Sequence, residues 1–121
     1  MKKLPDAEFE VMQAVWRITP PVTTALLMEK LEGKSWKAQT LLTLLSRLVE
    51  RGFLKTGKQG RERIYYPLVT EEDYLRFETV RFVEHYHNSS LVSLISTLYG
   101  GKRLSESEAE ELRQLLNDRG E

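Results

Sequence analysis

Gln39, Thr40, Thr43, Ser46 and Arg47 carry hydrogen-bonding side chains one and three residues apart, a spacing that gathers them on one side of a helix. Glutamine suits a bidentate contact to adenine, a threonine methyl packs on thymine, and arginine reaches a guanine edge or a phosphate. Gln39, Thr40 and Thr43 lie nearest the N-terminal end of the stretch 37–51 and are the candidates for base readout. Lys37 at that end, with Lys55, Lys58, Arg61 and Arg63 beyond it, would supply sequence-independent, salt-sensitive attraction to phosphates. Other chemistries find little support. The chain has no cysteine, which excludes disulfides, thiolate metal sites and cysteine nucleophiles. No G-x-S-x-G, H-E-x-x-H or phosphate-loop pattern occurs, so an enzyme is not expected. His85 and His87 would point about 200° apart on a helix, so neither a shared metal nor another cofactor is expected.

The elements that must position these side chains follow from apolar spacing. Asp6 is the expected cap of a first helix carrying Phe9, Met12 and Trp16, which Thr19-Pro20-Pro21 ends. Thr23 or Thr24 caps a second, short helix through Leu31, with Gly33 as its stop signal. In the stretch 37–51, Leu41, Leu44, Leu45 and Leu48 follow the i, i+3, i+4, i+7 rule and Gly52 closes the helix. At about 100° per residue these leucines centre on one stripe, and the five polar candidates fall between about 140° and about 260° from Leu41, on the opposite face. Residues 53–56 and 62–69 read as two short strands around the basic loop Gly57-Lys58-Gln59-Gly60-Arg61. Three further helices are expected. One starts at Thr70 with Asp73 in a capping box, one at Asn88-Ser89-Ser90, and one at Ser105 with Glu108.

Three helices followed by a basic hairpin is the order of a winged helix-turn-helix, in which the third helix enters the major groove and the wing reaches the backbone. The expected fold class is therefore mainly α with a small β-hairpin. A winged helix-turn-helix domain over 1–69 precedes a three-helix C-terminal dimerisation region over 70–121. The chain's 121 residues have a formal net charge of zero, which at first argues against a nucleic-acid partner. The average conceals a partition: residues 34–66 hold eight basic groups against Glu50 and Glu62, a local charge of +6, while residues 1–33 sum to −1 and 67–121 to −5. A polar face opposite a leucine stripe is by itself the ordinary solvated side of an amphipathic helix, and a charged hairpin also keeps strand edges soluble. The two together, on a basic third of the chain, favour a nucleic-acid surface. The competing reading is a winged-helix protein-interaction module without DNA binding, its wing facing an acidic partner. No apolar run approaches the about 20 residues of a membrane helix, and the start Met1-Lys2-Lys3-Leu4-Pro5-Asp6 lacks a signal-peptide core, so a cytoplasmic protein is expected.

The residues also resemble a known family. Ala7-Glu8-Phe9-Glu10-Val11-Met12 with Val15-Trp16, then Trp36, Thr40-Leu41-Leu42-Thr43-Leu44-Leu45-Ser46-Arg47-Leu48, Gly52-Phe53-Leu54, Tyr65-Tyr66-Pro67-Leu68-Val69 and Glu110-Glu111-Leu112-Arg113 are similar to the penicillinase-repressor (BlaI/MecI/CopY) family of transcriptional regulators. The resemblance spans nearly the whole chain. It implies a winged-helix DNA-binding domain, a helical dimerisation domain, and repression by occupying a palindromic operator on double-stranded DNA.

Residues 74–99 hold more apolar groups than three small helices can hide within one chain of this length. A second copy is expected to cover them, with Tyr74, Phe77, Phe82, Tyr86, Leu91, Leu94, Ile95, Leu98, Leu112 and Leu115 at the dimer interface. The alternative is a helical cap packed on its own winged helix. For regulation the resemblance implies a cleavage region at Leu94-Ile95 and, as partner, a membrane sensor protease that inactivates the repressor. Antibiotic-responsive members are cut there at an Asn-Phe bond, from which this chain departs. Copper-responsive members carry a C-terminal cysteine cluster, which this chain lacks.

Overall fold

The leucine stripe becomes α3 (Ala38–Glu50) in the computed structural model, which describes residues 1–119. Leu41, Leu45 and Leu48 are fully buried and Leu44 nearly so. They pack against α1 (Asp6–Val15) through Val11, Met12 and Val15, and against Leu27 of α2 (Thr24–Lys30). Asp6 is not the cap of α1: Pro5 takes that position, and the Phe9 amide donates to the Pro5 carbonyl at 2.9 Å. Asp6 sits in the first turn instead, where a carboxylate suits the positive end of the helix dipole. Thr23 caps α2, its Oγ1 accepting from the Leu26 amide at 3.1 Å. Gly33 is not the stop: α2 ends at Lys30, a 3-10 turn covers Glu32–Lys34, and the left-handed residue is Ser35, with φ 58°.

Gly52 ends α3 as expected. At φ 83° it lets the Phe53 amide reach the Leu48 carbonyl (2.9 Å) and its own amide the Val49 carbonyl (3.0 Å), the paired bonds of a Schellman motif. The chain leaves this turn as β2 (Leu54–Gln59) and returns as β3 (Glu62–Pro67). β2 runs further into the basic loop than expected, while β3 begins at Glu62 as expected and ends two residues early, leaving a turn at Gly60-Arg61 with Gly60 at φ 67°. A third strand, β1 (Val22–Thr23), pairs antiparallel with β3 and gives the order β1-β3-β2. Two residues between a proline pair and a helix cap carry no detectable period.

The chain divides into two compact units, Met1–Glu78 and a second beginning at Thr79. The division falls inside α4 (Glu71–His87), beyond residue 69 where the sequence pattern places the boundary, because the first turns of α4 complete the first core. Tyr74 is buried among Phe9, Trp16, Phe53 and Phe77, with ring centroids 5.5 to 6.4 Å away. Its hydroxyl accepts from the Leu4 amide at 2.8 Å. Trp16 Nε1 donates to the Val69 carbonyl at 3.0 Å, and Arg17 donates both Nη atoms to the Glu71 carboxylate at 2.8 and 3.0 Å. The start of α4 uses Thr70 Oγ1, which accepts from the Asp73 amide.

The second unit holds the rest of α4, α5 (Leu91–Gly100) and α6 (Glu106–Arg119). Ser90 caps α5 by accepting from the Ser93 amide at 3.0 Å, and Ser105 caps α6 in a reciprocal box with Glu108. No residue of α5 is fully buried. Among the described residues no helix is long and apolar enough to cross a membrane.

Candidate nucleic-acid interface

Once the leucines of α3, with half-buried Val49 beside them, are committed to the core, the opposite side of the helix faces solvent. Lys37, Gln39, Thr40, Thr43, Ser46 and Arg47 are all exposed. Lys37 occupies the cap position without a side-chain bond to the helix, so the first amides of α3 have no capping acceptor from it and suit an anion. Thr43 Oγ1 donates to the Gln39 carbonyl at 3.0 Å, which ties its hydroxyl to the helix backbone.

Strand register separates the wing's cations. Lys58 stands directly opposite Arg63, on the same sheet face as the opposed pair Thr56 and Tyr65. Lys55 stands opposite Tyr66, on the other face with Gly57 and Ile64. The face with Arg63 borders α3: Thr56, Arg63 and Tyr65 line a hollow with Leu42, Ser46, Val49 and Glu50. Arg63 Nη1 lies 3.4 Å from Thr56 Oγ1, which itself donates to the Ile64 carbonyl at 3.1 Å. Burial pushes the Tyr65 phenol above its ordinary 10.0, outweighing the Arg63 charge and hydrogen bonds with Thr56 and Thr24. It therefore stays a neutral hydroxyl at neutral pH. Arg61 sits in the exposed turn at the wing tip. Two cations directly opposed on a hairpin repel, an arrangement that an anion lying along the wing relieves.

The +6 of the central third is not all available to a ligand. Arg51 Nε donates to Glu8 Oε1 at 2.6 Å, and that carboxylate is buried, its side chain only 2% exposed. Lys34 pairs with Glu10 at 2.9 Å. The cations left outside these two pairs, Lys37, Arg47, Lys55, Lys58, Arg61 and Arg63, are those assigned to the interface from sequence. Two neighbours escaped that assignment. Leu42 is exposed on the wing side of α3, and Glu50 borders the same hollow. An i, i+3, i+4 pattern distinguishes core from surface but does not say which surface residue meets a neighbouring strand.

The residues assigned to a dimer interface divide in two. Tyr74 lies in the core of the first unit and Phe77 is half-buried against it. Tyr74 is thereby withdrawn from that surface, because the aromatic cluster already covers its ring. In the second unit Phe82, Tyr86, Leu91, Leu98 and Leu115 are exposed, as are Val92, Tyr99 and Leu116, while Leu94, Ile95 and Leu112 are half-buried.

Comparison with known proteins agrees with this geometry. The family model described as penicillinase repressor matches residues 4–118. The chain is 33% identical over 121 residues to the penicillinase repressor of Bacillus licheniformis, covering 98% of this chain and 94% of that one. It is 30% identical over 115 residues to the methicillin resistance regulatory protein MecI of Staphylococcus aureus (strain N315), covering 95% and 94%. Among solved structures, the DNA-binding domain of the repressor BlaI is similar with a TM-score of 0.51 at 37% identity, over 61% of this chain and 94% of that one. Monomeric Bacillus licheniformis BlaI in complex with the blaP half-operator is similar with a TM-score of 0.50 at 35% identity, over 60% and 89%.

Proposed function

The chain belongs to the penicillinase repressor family, and from that membership we propose that it is a homodimeric transcriptional repressor that occupies a palindromic DNA operator in the cytoplasm. Each protomer lays α3 in a major groove, with Gln39, Thr40 and Thr43 toward base edges and Ser46 and Arg47 toward bases or phosphates. Lys37, Lys58, Arg61 and Arg63 hold the backbone around it, and Lys55 meets phosphate from the other face of the wing. The observation that carries this reading is that Ser46, from the exposed polar side of α3, and Arg63, from the wing, border one hollow, with Lys58 directly opposite Arg63 on the same sheet face. Repression follows from occupancy: a bound dimer denies the promoter to polymerase, and no covalent chemistry is needed.

The dimer rests on the second unit. Phe82 and Tyr86 of α4, Leu91 and Leu98 of α5 and Leu115 of α6 present more apolar surface than a small helical unit leaves to water. A twofold partner covering it would set two α3 helices on half-sites about 34 Å apart or a multiple of that. Control by a sensor protease at Leu94-Ile95 completes the proposal. Both residues are half-buried inside α5, so scission requires that helix to open locally.

The test is a titration of fluorescent duplexes carrying the palindrome upstream of the protein's own gene, at several salt concentrations. Selective, salt-dependent binding that is lost in the Thr43→Ala/Arg47→Ala double variant is the expected result. Equal binding to scrambled DNA, or an unaffected double variant, would overturn the reading. Incubation with the membrane sensor protease, followed by mass spectrometry, tests cutting at Leu94-Ile95.

A further inference from the structure

Leu42 is the one large apolar side chain that α3 exposes. The core does not need it, since Leu41, Leu44, Leu45 and Leu48 already fill the buried stripe. On the helix surface it adjoins Gln39, three residues before it, and Ser46, four after, and at about 100° from Leu41 it sits where the polar face meets the core stripe, next to half-buried Val49. Its flank turns toward the wing, where the hollow it shares with Ser46 and Arg63 opens to solvent.

An apolar group among hydrogen-bonding residues on a helix presented to a major groove has one natural counterpart there, the 5-methyl group of thymine. We propose that Leu42 is a specificity-determining residue that packs on a thymine methyl in each half-site, next to the base pair read by Gln39. The inference rests on the DNA-binding reading above. Leu42 contributes contact surface without a hydrogen bond, so it discriminates by the presence of a methyl group and not by the donor and acceptor pattern. Arg63, on the wing beside it, holds the adjacent phosphate and keeps this flank of α3 against the groove.

The experiment uses the full-length protein and palindromic duplexes that it enriches from a library of random half-sites. In the enriched duplex each thymine is replaced in turn by deoxyuridine, which removes only the methyl group. Wild-type protein is expected to lose about fourfold in affinity at one position per half-site, the worth of one methyl group taken out of water. Leu42→Ala is expected to bind the thymine and deoxyuridine duplexes equally at that position. Thr40→Ser and Thr43→Ser, which remove the two threonine methyls of the polar face, are each expected to keep the discrimination at that position whatever they do to overall affinity. Wild-type indifference to every deoxyuridine, or full discrimination retained by Leu42→Ala, overturns the proposal. So does loss of the discrimination in Thr40→Ser or Thr43→Ser alone, or a uniform loss of affinity in Leu42→Ala for all duplexes with a lowered melting temperature, which would mark Leu42 as packing for the wing. Failure to enrich any duplex would instead overturn the DNA-binding reading itself, and Leu42's role with it.

Discussion

Arg51 and Glu8 form an ion pair whose two halves live in different solvents. The carboxylate, carried by α1, is buried, while the guanidinium side chain is 37% exposed at the end of α3. Removing the cation leaves a buried charge without a partner, whereas converting the carboxylate to an amide leaves a cation that water can reach. Arg51→Ala is accordingly expected to cost about 3 kcal/mol of unfolding free energy, and Glu8→Gln about 1 kcal/mol, both measured by urea denaturation. Equal costs would show that the pair is solvated as a whole. At the DNA surface the residue scale separates roles of another kind. Lys58→Ala should weaken binding to all sequences alike and lower the salt slope by about 1. Gln39→Ala should leave that slope unchanged and relax the preference for one base pair; anisotropy titrations on matched and mismatched duplexes distinguish the two.

Helix ends decide how α3 and the wing meet. Gly52 holds φ at 83°, and a Cβ placed there would meet nothing within 4 Å. The penalty for a side chain is thus backbone strain alone, and Gly52→Ala is expected to cost roughly 1 kcal/mol and lower the melting temperature by a few degrees. The end of α1 is joined to the start of α4 by Arg17 and Glu71. The hydrogen bonds from Arg17 hold the Glu71 carboxyl below its ordinary 4.5; the Arg17 charge adds to this and partial desolvation opposes it. Since the folded value is depressed, the stabilisation is present above pH 4.5 and is lost as pH falls through the lowered folded value. The melting-temperature difference between wild type and Glu71→Gln should therefore close as pH drops below 4.5, and calorimetry at neutral and acid pH measures it. A difference that persists in acid would assign the effect to packing.

For the whole molecule the expectation is linkage between folding and association. If a second copy covers the apolar surface of the second unit, the melting temperature rises with protein concentration. Leu98→Asp, which places a charge on that exposed surface, should yield a monomer by analytical ultracentrifugation. That monomer should keep its half-site contacts yet bind the full palindrome more weakly, since two linked half-sites bind far more tightly than either alone. A dimer surviving Leu98→Asp would place the interface elsewhere.

Spacing and type alone determined that α3 has a leucine side and a polar side, that Gly52 ends it, that helices are capped at Thr23 or Thr24, at Thr70, within Asn88-Ser89-Ser90 and at Ser105, and that cations follow on a hairpin. These features are local: a periodic stripe, a cap or a turn depends on residues within a few positions of one another. Tertiary structure decided what local rules do not reach. It withdrew Arg51 and Lys34 from the basic surface by pairing them with Glu8 and Glu10 from another helix. It drew Tyr74 into the first core and added β1 to the sheet. It also set Lys58 and Arg63 on the face toward α3 and Lys55 on the opposite one. For the first three the physical reason is the same: the partner of a charge, a ring or a strand edge is chosen by proximity in the folded chain, and residues far apart in sequence leave no period from which to infer it. For the wing, alternation along the strand already separates Lys55 from Lys58, and packing decides only which of the two faces meets α3.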